Sequence, residues 1–164
     1  MLQALRSTRR WAQVLPTGAA FAIVVSLDEL TKHLVRQWLP ERGSWPADWT
    51  VSLTHVENSG SAFGLFNNQT TFLIVASIIA IGMILFLFRQ AGSASLILRI
   101  CLGMVLGGGI SNLVDRIRFG SVTDFFDLRV WPIFNVADSS VVVGISILTV
   151  VLFFQERKPA KAPR

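Results

Sequence analysis

Residues 136–154 read VADSSVVVGISILTVVLFF. Past Asp138 and two serines, the run from Val141 to Phe154 carries no charge and is dense in Val, Ile and Leu. About 20 largely apolar residues cross a bilayer, so this stretch reads as a membrane span with an aspartate at its mouth. Thr71 to Phe88 is a second such run, again without charge. Two further spans are predicted where polar residues and glycines interrupt the pattern. One runs roughly from Pro16 to Trp38, with Asp28, Glu29 and Lys32 in its second half. The other runs roughly from Ser95 to Val114, with Arg99 near its start and Gly107-Gly108-Gly109 near its end. Composition agrees: of 164 residues, 52% are hydrophobic and only 15% charged, where a soluble domain carries about 25% charged residues. The mean hydropathy is +0.55. Such a chain is too apolar for disorder, and its single cysteine, Cys101, excludes a disulfide framework or a thiolate zinc site. The sequence predicts a mostly α membrane protein, a bundle of four transmembrane helices with a small extracytoplasmic β element.

The net charge of +5 would suggest nucleic acid for a soluble protein, but here the placement of the charges matters more than their sum. Arg6, Arg9 and Arg10 precede the first span, Arg89 and Arg99 flank the connection between the second and third, and Arg157, Lys158, Lys161 and Arg164 follow the fourth. Glu156 is the one acid on that side, whereas the rest of the chain holds more acids than bases. Both termini are therefore expected in the cytoplasm, and no nucleic-acid partner is expected. Trp38, Trp45, Trp49 and Trp131 then fall at the outer interface, where an indole is at home. The apolar run Ala19 to Leu27 leads into Asp28-Glu29 without a small-residue cleavage site, so it reads as a retained span, not a cleaved signal peptide. The expected organisation is an N-terminal cytoplasmic arm (1–15), a membrane domain (16–154) with extracytoplasmic segments at about 39–70 and 117–135, and a basic cytoplasmic tail (155–164). Within those outer segments, Thr50 to His55 alternates like a short strand, Asn58-Ser59-Gly60 has turn chemistry, and Gly120 to Pro132 reads as a short hairpin or irregular arm.

Ionisable residues in or beside a span are costly and call for an explanation. Asp28 and Lys32 stand four apart on one helix face, where they form either a neutralised pair that orients the helix or a support for a neighbouring polar site. Asn112, Asp115 and Arg116 share a face at the end of the third span. Arg116 can pair with a carboxylate there and Asn112 can satisfy buried backbone. The glycines before them admit a close helix neighbour or leave room for a substrate chain. Asp124, in VTDFF, and Asp138, in FNVAD, are carboxylates in apolar surroundings near the outer interface. Such surroundings raise a carboxyl pKa, and two neighbouring carboxyls can share one proton and activate a water. A cap or an ion-pair role is the alternative for each, and Asp138 is placed to cap the fourth helix. Other chemistries lack their residues. His33 and His55 stand alone and read as polar surface residues, Cys101 reads as a packed apolar residue, and no nucleophile elbow or phosphate loop is present.

Five ordered segments resemble the bacterial lipoprotein signal peptidases, or signal peptidase II. They are Asp28-Glu29-Leu30-Thr31-Lys32, Val56-Glu57-Asn58-Ser59-Gly60-Ser61-Ala62-Phe63-Gly64, Gly107 to Arg116, Val122-Thr123-Asp124-Phe125, and Phe134-Asn135-Val136-Ala137-Asp138-Ser139. The likeness covers residues 16 to 154. Ser61 and Ser111 depart from the family's commoner alanine and glycine, both small changes expected to alter packing slightly. The resemblance implies an aspartyl endopeptidase of the bacterial cytoplasmic (inner) membrane, with Asp124 and Asp138 catalytic and no metal or other cofactor. Asn58, Gly60, Asn112, Arg116 and Asn135 are implied to line or brace the pocket, with Asp28, Lys32 and Asp115 in support. The implied partners are membrane lipids and the signal peptide of a prolipoprotein whose cysteine already carries diacylglycerol, cleaved just before that cysteine by a monomeric enzyme. Two other readings remain open on the residues. A small transporter or channel subunit would also hold intramembrane charge, although its coupling carboxylates belong near mid-membrane. A lipoprotein assembly factor would not need the aspartates at all.

Overall fold

The computed structural model describes residues 2–60, 69–90 and 95–156. The Ser61–Gly64 part of the resembling loop and the basic tail from Arg157 onward lie outside them. In chain order the elements are α1 (Leu2–Trp38), β1 (Ser44–Trp45), β2 (Ser52–Asn58), α2 (Gln69–Gln90), α3 (Leu96–Phe119), β3 (Val122–Asp127) and α4 (Val136–Glu156). Three stretches are long and apolar enough to cross a membrane: Val14–Trp38, Leu96–Phe119 and Val136–Phe154. The described apolar part of α2, Thr70–Phe86, is shorter than these.

Helix α3 is the hub, packing against α1, α2 and α4, while α2 touches α3 alone among the described elements. Half of its apolar span is buried, against 11% for α1 and 17% for α4, so those two turn most of their surface outward. Glycines make the close approach. A Cβ on Gly107 would press on Val24 of α1, and one on Gly108 would run into the Ala137 carbonyl of α4. Gly144 returns the contact from α4 against Val105 and the Cys101 carbonyl. Of the two uses open to the glycine run, close helix contact is the one realised at these positions.

The ends of α3 are set by local chemistry. Ser95 caps it, accepting from the Leu98 amide at 3.4 Å. Gly120 (φ +77°) ends it in the left-handed conformation, its N–H bonding the Arg116 carbonyl at 3.1 Å. The helix thus runs past the expected limit at Val114, because Asp115 and Arg116 find their surroundings inside the bundle and need no exit to water.

The sheet is antiparallel in the order β1-β2-β3. Strand β2 reaches Asn58, beyond the expected His55, because Glu57 pairs with Thr123 and Asn58 with Val122 on β3. A register irregularity between Leu53 and Val56 breaks the alternation that marked the strand. After β3 the chain doubles back, and Phe126 and Phe134 exchange backbone bonds of 2.7 and 3.2 Å. The segment 120–132 is therefore a strand followed by an irregular return. His33 is exposed as expected, but His55 is buried, which corrects its reading as a surface residue. The turn at residues 40–43 closes over it, with Arg42 N bonding the His55 carbonyl at 2.8 Å and His55 N bonding the Gly43 carbonyl at 3.0 Å. Trp38, Trp45, Trp49 and Trp131 are all exposed, at the end of α1 and around the sheet.

Gly108→Val should lower stability by about 1–3 kcal/mol through overpacking against α4. Gly82→Ala, where a Cβ meets nothing within 4 Å, should leave the Tm unchanged or raise it. Thermal unfolding of the two variants in detergent checks the contrast.

Candidate active site

The polar residues converge where the inner faces of α1, α3 and α4 meet β3. The largest fully buried side chain among the described residues is Lys32, on α1. Its Nζ lies 2.6 Å from Asp28 Oδ2, 2.7 Å from Asp115 Oδ2 and 2.9 Å from Asn112 Oδ1. Three oxygens thus face the ammonium, and the one from Asn112 accepts a hydrogen bond. Neither Asp115 oxygen has an aligned hydrogen-bond donor, so that contact is charge against charge. Asp28 also accepts from Ser111 Oγ at 2.6 Å and from the Ala137 backbone amide at 2.8 Å. Ser111 thus supplies a directed bond to Asp28, where only a change in packing was expected.

Asn112 carries the order outward. Its Oδ1 faces Lys32, so its Nδ2 is free to donate to Asp138 Oδ1 at 2.8 Å. Asp138 is in the first turn of α4, and Asn135 is the residue that caps the helix. Asn135 Oδ1 accepts from Asp138 N at 2.8 Å, and Asp138 Oδ2 accepts from Asn135 N at 3.3 Å. This is a reciprocal capping box, so Asp138 is its third-position partner and not the cap itself.

Asn135 also joins the aspartates. With its oxygen committed to the cap, its Nδ2 donates to Asp124 Oδ1 at 2.7 Å and to Asn112 Oδ1 at 3.1 Å. The second oxygen of Asp124 accepts from Asn58 Nδ2 at 2.8 Å. Asn58 is held in turn by Gly60 (φ +78°), whose amide donates to Asn58 Oδ1 at 2.8 Å. Burial pushes the Asp124 carboxyl up to about 6; the bonds from Asn58 and Asn135 oppose the rise and the charge of Asp138 adds to it.

The two aspartates, Asn58, Gly60, Asn112, Asn135, Asp28, Lys32 and Asp115 therefore form one connected network. Arg116 joins it differently from the expectation. Among the described residues it makes no direct ion pair, its Nη1 bonds the Asn112 carbonyl of its own helix at 3.4 Å, and its buried Nε has no partner. The charges of Asp138, Asp124 and Asp115 surround it at longer range. Arg36 and Thr123 are part of the assembly and were not singled out from the sequence. Arg36 Nη1 donates to Thr123 Oγ1 at 3.0 Å and approaches Asp115 Oδ1 at 3.8 Å. The available signal was spacing, since Arg36 stands four residues after Lys32 on the same face of α1. An apolar cleft of about 480 Å³, lined by Leu34, Val35, Trp38, Leu39, Trp45 and Leu53, includes none of these site residues. Among the described residues no cluster of His, Cys, Asp or Glu has the makings of a metal site.

The fold is that of solved bacterial membrane enzymes. One, determined by the in meso method at 1.9 Å, matches with a TM-score of 0.76 at 26% identity over 83% of this chain and 91% of that one. Another, at 2.3 Å, matches with a TM-score of 0.79 at 24% identity over 90% of this chain and 93% of that one. In sequence, the lipoprotein signal peptidase of Halothermothrix orenii is 38% identical over 82% of this chain and 93% of its own length. That of Caldanaerobacter subterraneus subsp. tengcongensis is 42% identical over 82% of this chain and 93% of its own length. The family described as Signal peptidase (SPase) II matches residues 20–154. The class is thus an aspartic peptidase of the membrane. Within it, the chain belongs to the signal peptidase II family, the enzymes that remove signal peptides in lipoprotein maturation.

Lys32→Met should destabilise the fold by about 3–5 kcal/mol, since it leaves Asp28 and Asp115 buried without their cation. Adding Asp115→Asn to it should recover part of the loss. Thermal or denaturant unfolding in detergent reads both.

Proposed function

We propose that this enzyme cleaves prolipoproteins whose lipobox cysteine already carries diacylglycerol, just before that cysteine, with Asp124 and Asp138 as the catalytic pair. The observation that carries the reading is the double grip of Asn135, which bonds the carboxyls of both aspartates although they lie on a strand and a helix respectively. Asp124 suits the protonated partner, because burial raises its carboxyl to about 6. Asp138 suits the base, with donors from Asn112 and the Asn135 amide on its oxygens. A water between them attacks the scissile carbonyl carbon while its proton passes to Asp138. The Asp124 proton moves to the carbonyl oxygen, giving a neutral tetrahedral diol. Collapse breaks the C–N bond as the leaving nitrogen takes the proton from Asp138, and a hydroxyl proton of the diol returns to Asp124.

The outward apolar faces of α1 and α4 support lateral entry of the diacylglyceryl chains from the lipid. Asn58, at the rim beside Asp124, offers an amide to an extended peptide backbone. Charge placement supports both termini in the cytoplasm of a bacterial inner-membrane protein, with the site near the outer face and the segments 39–70 and 117–135 outside. A monomer suffices, because every group assigned to the chemistry comes from one chain.

Asp124→Asn and Asp138→Asn should each lower the cleavage rate by at least about a hundredfold, with folding and precursor binding retained. Hydrolysis of a lipidated precursor by purified enzyme checks this, and wild-type turnover by either variant would refute the pair. The sign of the pH effect follows from the raised carboxyl. Asp124 holds its proton below about 6 and loses it above, so kcat/KM should fall as pH rises through about 6.

A further inference from the structure

A second polar cluster surrounds Glu57, and the chemistry above uses none of it. Strand side chains alternate between faces, so Thr123 points to the side of β3 opposite its neighbour Asp124. On that side Glu57, the cross-strand partner of Thr123, gathers three polar partners. Its Oε1 accepts from Thr123 Oγ1 at 2.8 Å and faces His55 Nε2 at 3.1 Å, and its Oε2 accepts from Ser121 Oγ at 2.6 Å. Burial alone would raise this carboxyl, but the bonds from Ser121, Thr123 and His55 hold it below the usual carboxylate range.

The direction of the two Thr123 bonds is fixed. Arg36 can only donate, so Thr123 accepts from Arg36 at 3.0 Å and its single hydroxyl hydrogen goes to Glu57. His55 Nδ1 faces the Leu39 carbonyl at 2.9 Å while Nε2 faces Glu57. The titratable and charged groups facing Glu57 and Thr123 are His55 on β2 and Arg36 on α1, with Asp115 of α3 behind Arg36.

We infer that Glu57 is a positioning residue for the peptidase reaction, pinning Thr123 on one face of β3 so that Asp124 on the other face stays aimed at Asn58 and Asn135. The inference rests on the assignment of Asp124 as catalytic. Its mechanical basis is that a strand is a ribbon with opposed faces. Directed bonds on the Thr123 side, one from α1 and one from β2, remove the rotation that would swing the next residue out of line. A displacement of about 1 Å at a reacting group can cost about a hundredfold in rate.

The test uses the full-length enzyme in detergent, a lipidated precursor, and the variants E57A, E57Q, T123V, E57A/T123V and D124N, each normalised to folded protein. E57A and T123V should lower kcat by about ten- to a hundredfold with KM changed less than about twofold. Their alkaline limb in kcat/KM should move to higher pH, because a misaimed Asp124 loses the bonds that oppose its raised carboxyl. E57Q keeps an oxygen for Thr123 and should recover most of the rate. The double variant should be no slower than the slower single one, since both changes remove one interaction. Wild-type kcat and an unmoved limb in E57A and T123V, beside an inactive D124N, would overturn this inference alone. An active D124N would instead overturn the catalytic assignment beneath it. If E57A does not fold, E57Q and the near-isosteric T123V decide, and a T123V enzyme with wild-type kinetics counts against the inference.

Discussion

An ammonium sealed from water between three helices is the constraint on which the site depends. Lys32 has no exposed surface, and its partners come from α1 itself (Asp28) and from α3 (Asn112 and Asp115). Asp28 extends the grip to α4 through the Ala137 amide. Desolvating so many charges is costly, and well-packed apolar residues often stabilise as much or more. What this arrangement adds is direction. Facing the Lys32 charge, Asn112 must present its oxygen inward and its nitrogen outward, and the nitrogen is what bonds Asp138. The helix-packing core and the proposed catalytic pair thus share one amide.

From there two kinds of scaffold meet. Asp138 is held by a helix start, where the capping exchange with Asn135 leaves little freedom. Asp124 is held by a strand whose neighbours are another strand and the α1 surface. Asn135 is common to both, its oxygen serving the helix and its nitrogen the strand. The glycines of α3 bring α1 and α4 close enough for these short side chains to reach one another.

Much of this was legible in the residues, and the rest was hidden for identifiable reasons. Hydropathy marked the helices because lipid rewards long apolar runs, and the spacing of Asp28 and Lys32 announced a pair that local geometry makes nearly obligatory. The apolar setting of Asp124 and Asp138 suggested raised carboxyls, and burial does raise Asp124. The cap offered for α4 as an alternative role was Asp138, where Asn135 is the cap, although an Asn three residues ahead of an Asp is readable as a capping box. Strand β2 looked shorter than it is because the irregularity before Val56 broke its alternation. Contacts between distant segments left no local trace. Nothing near Glu57 tells that Thr123 will lie opposite it, nothing near His55 tells that a turn will cover it, and Arg116 carried no sign that the carboxylates would stay at a distance.

The order of synthesis gives the Asp28–Lys32 spacing another significance. The ribosome makes α1 first, and Asn112 follows Lys32 by 80 residues. At about 5–20 residues per second, the lysine waits several seconds before that partner exists. Throughout the delay a carboxylate of the opposite sign stands one helical turn away on the same face, so the nascent segment meets the hydrocarbon as a compensated unit, not as a bare cation. The later helices then inherit a charge that has already been brought into place.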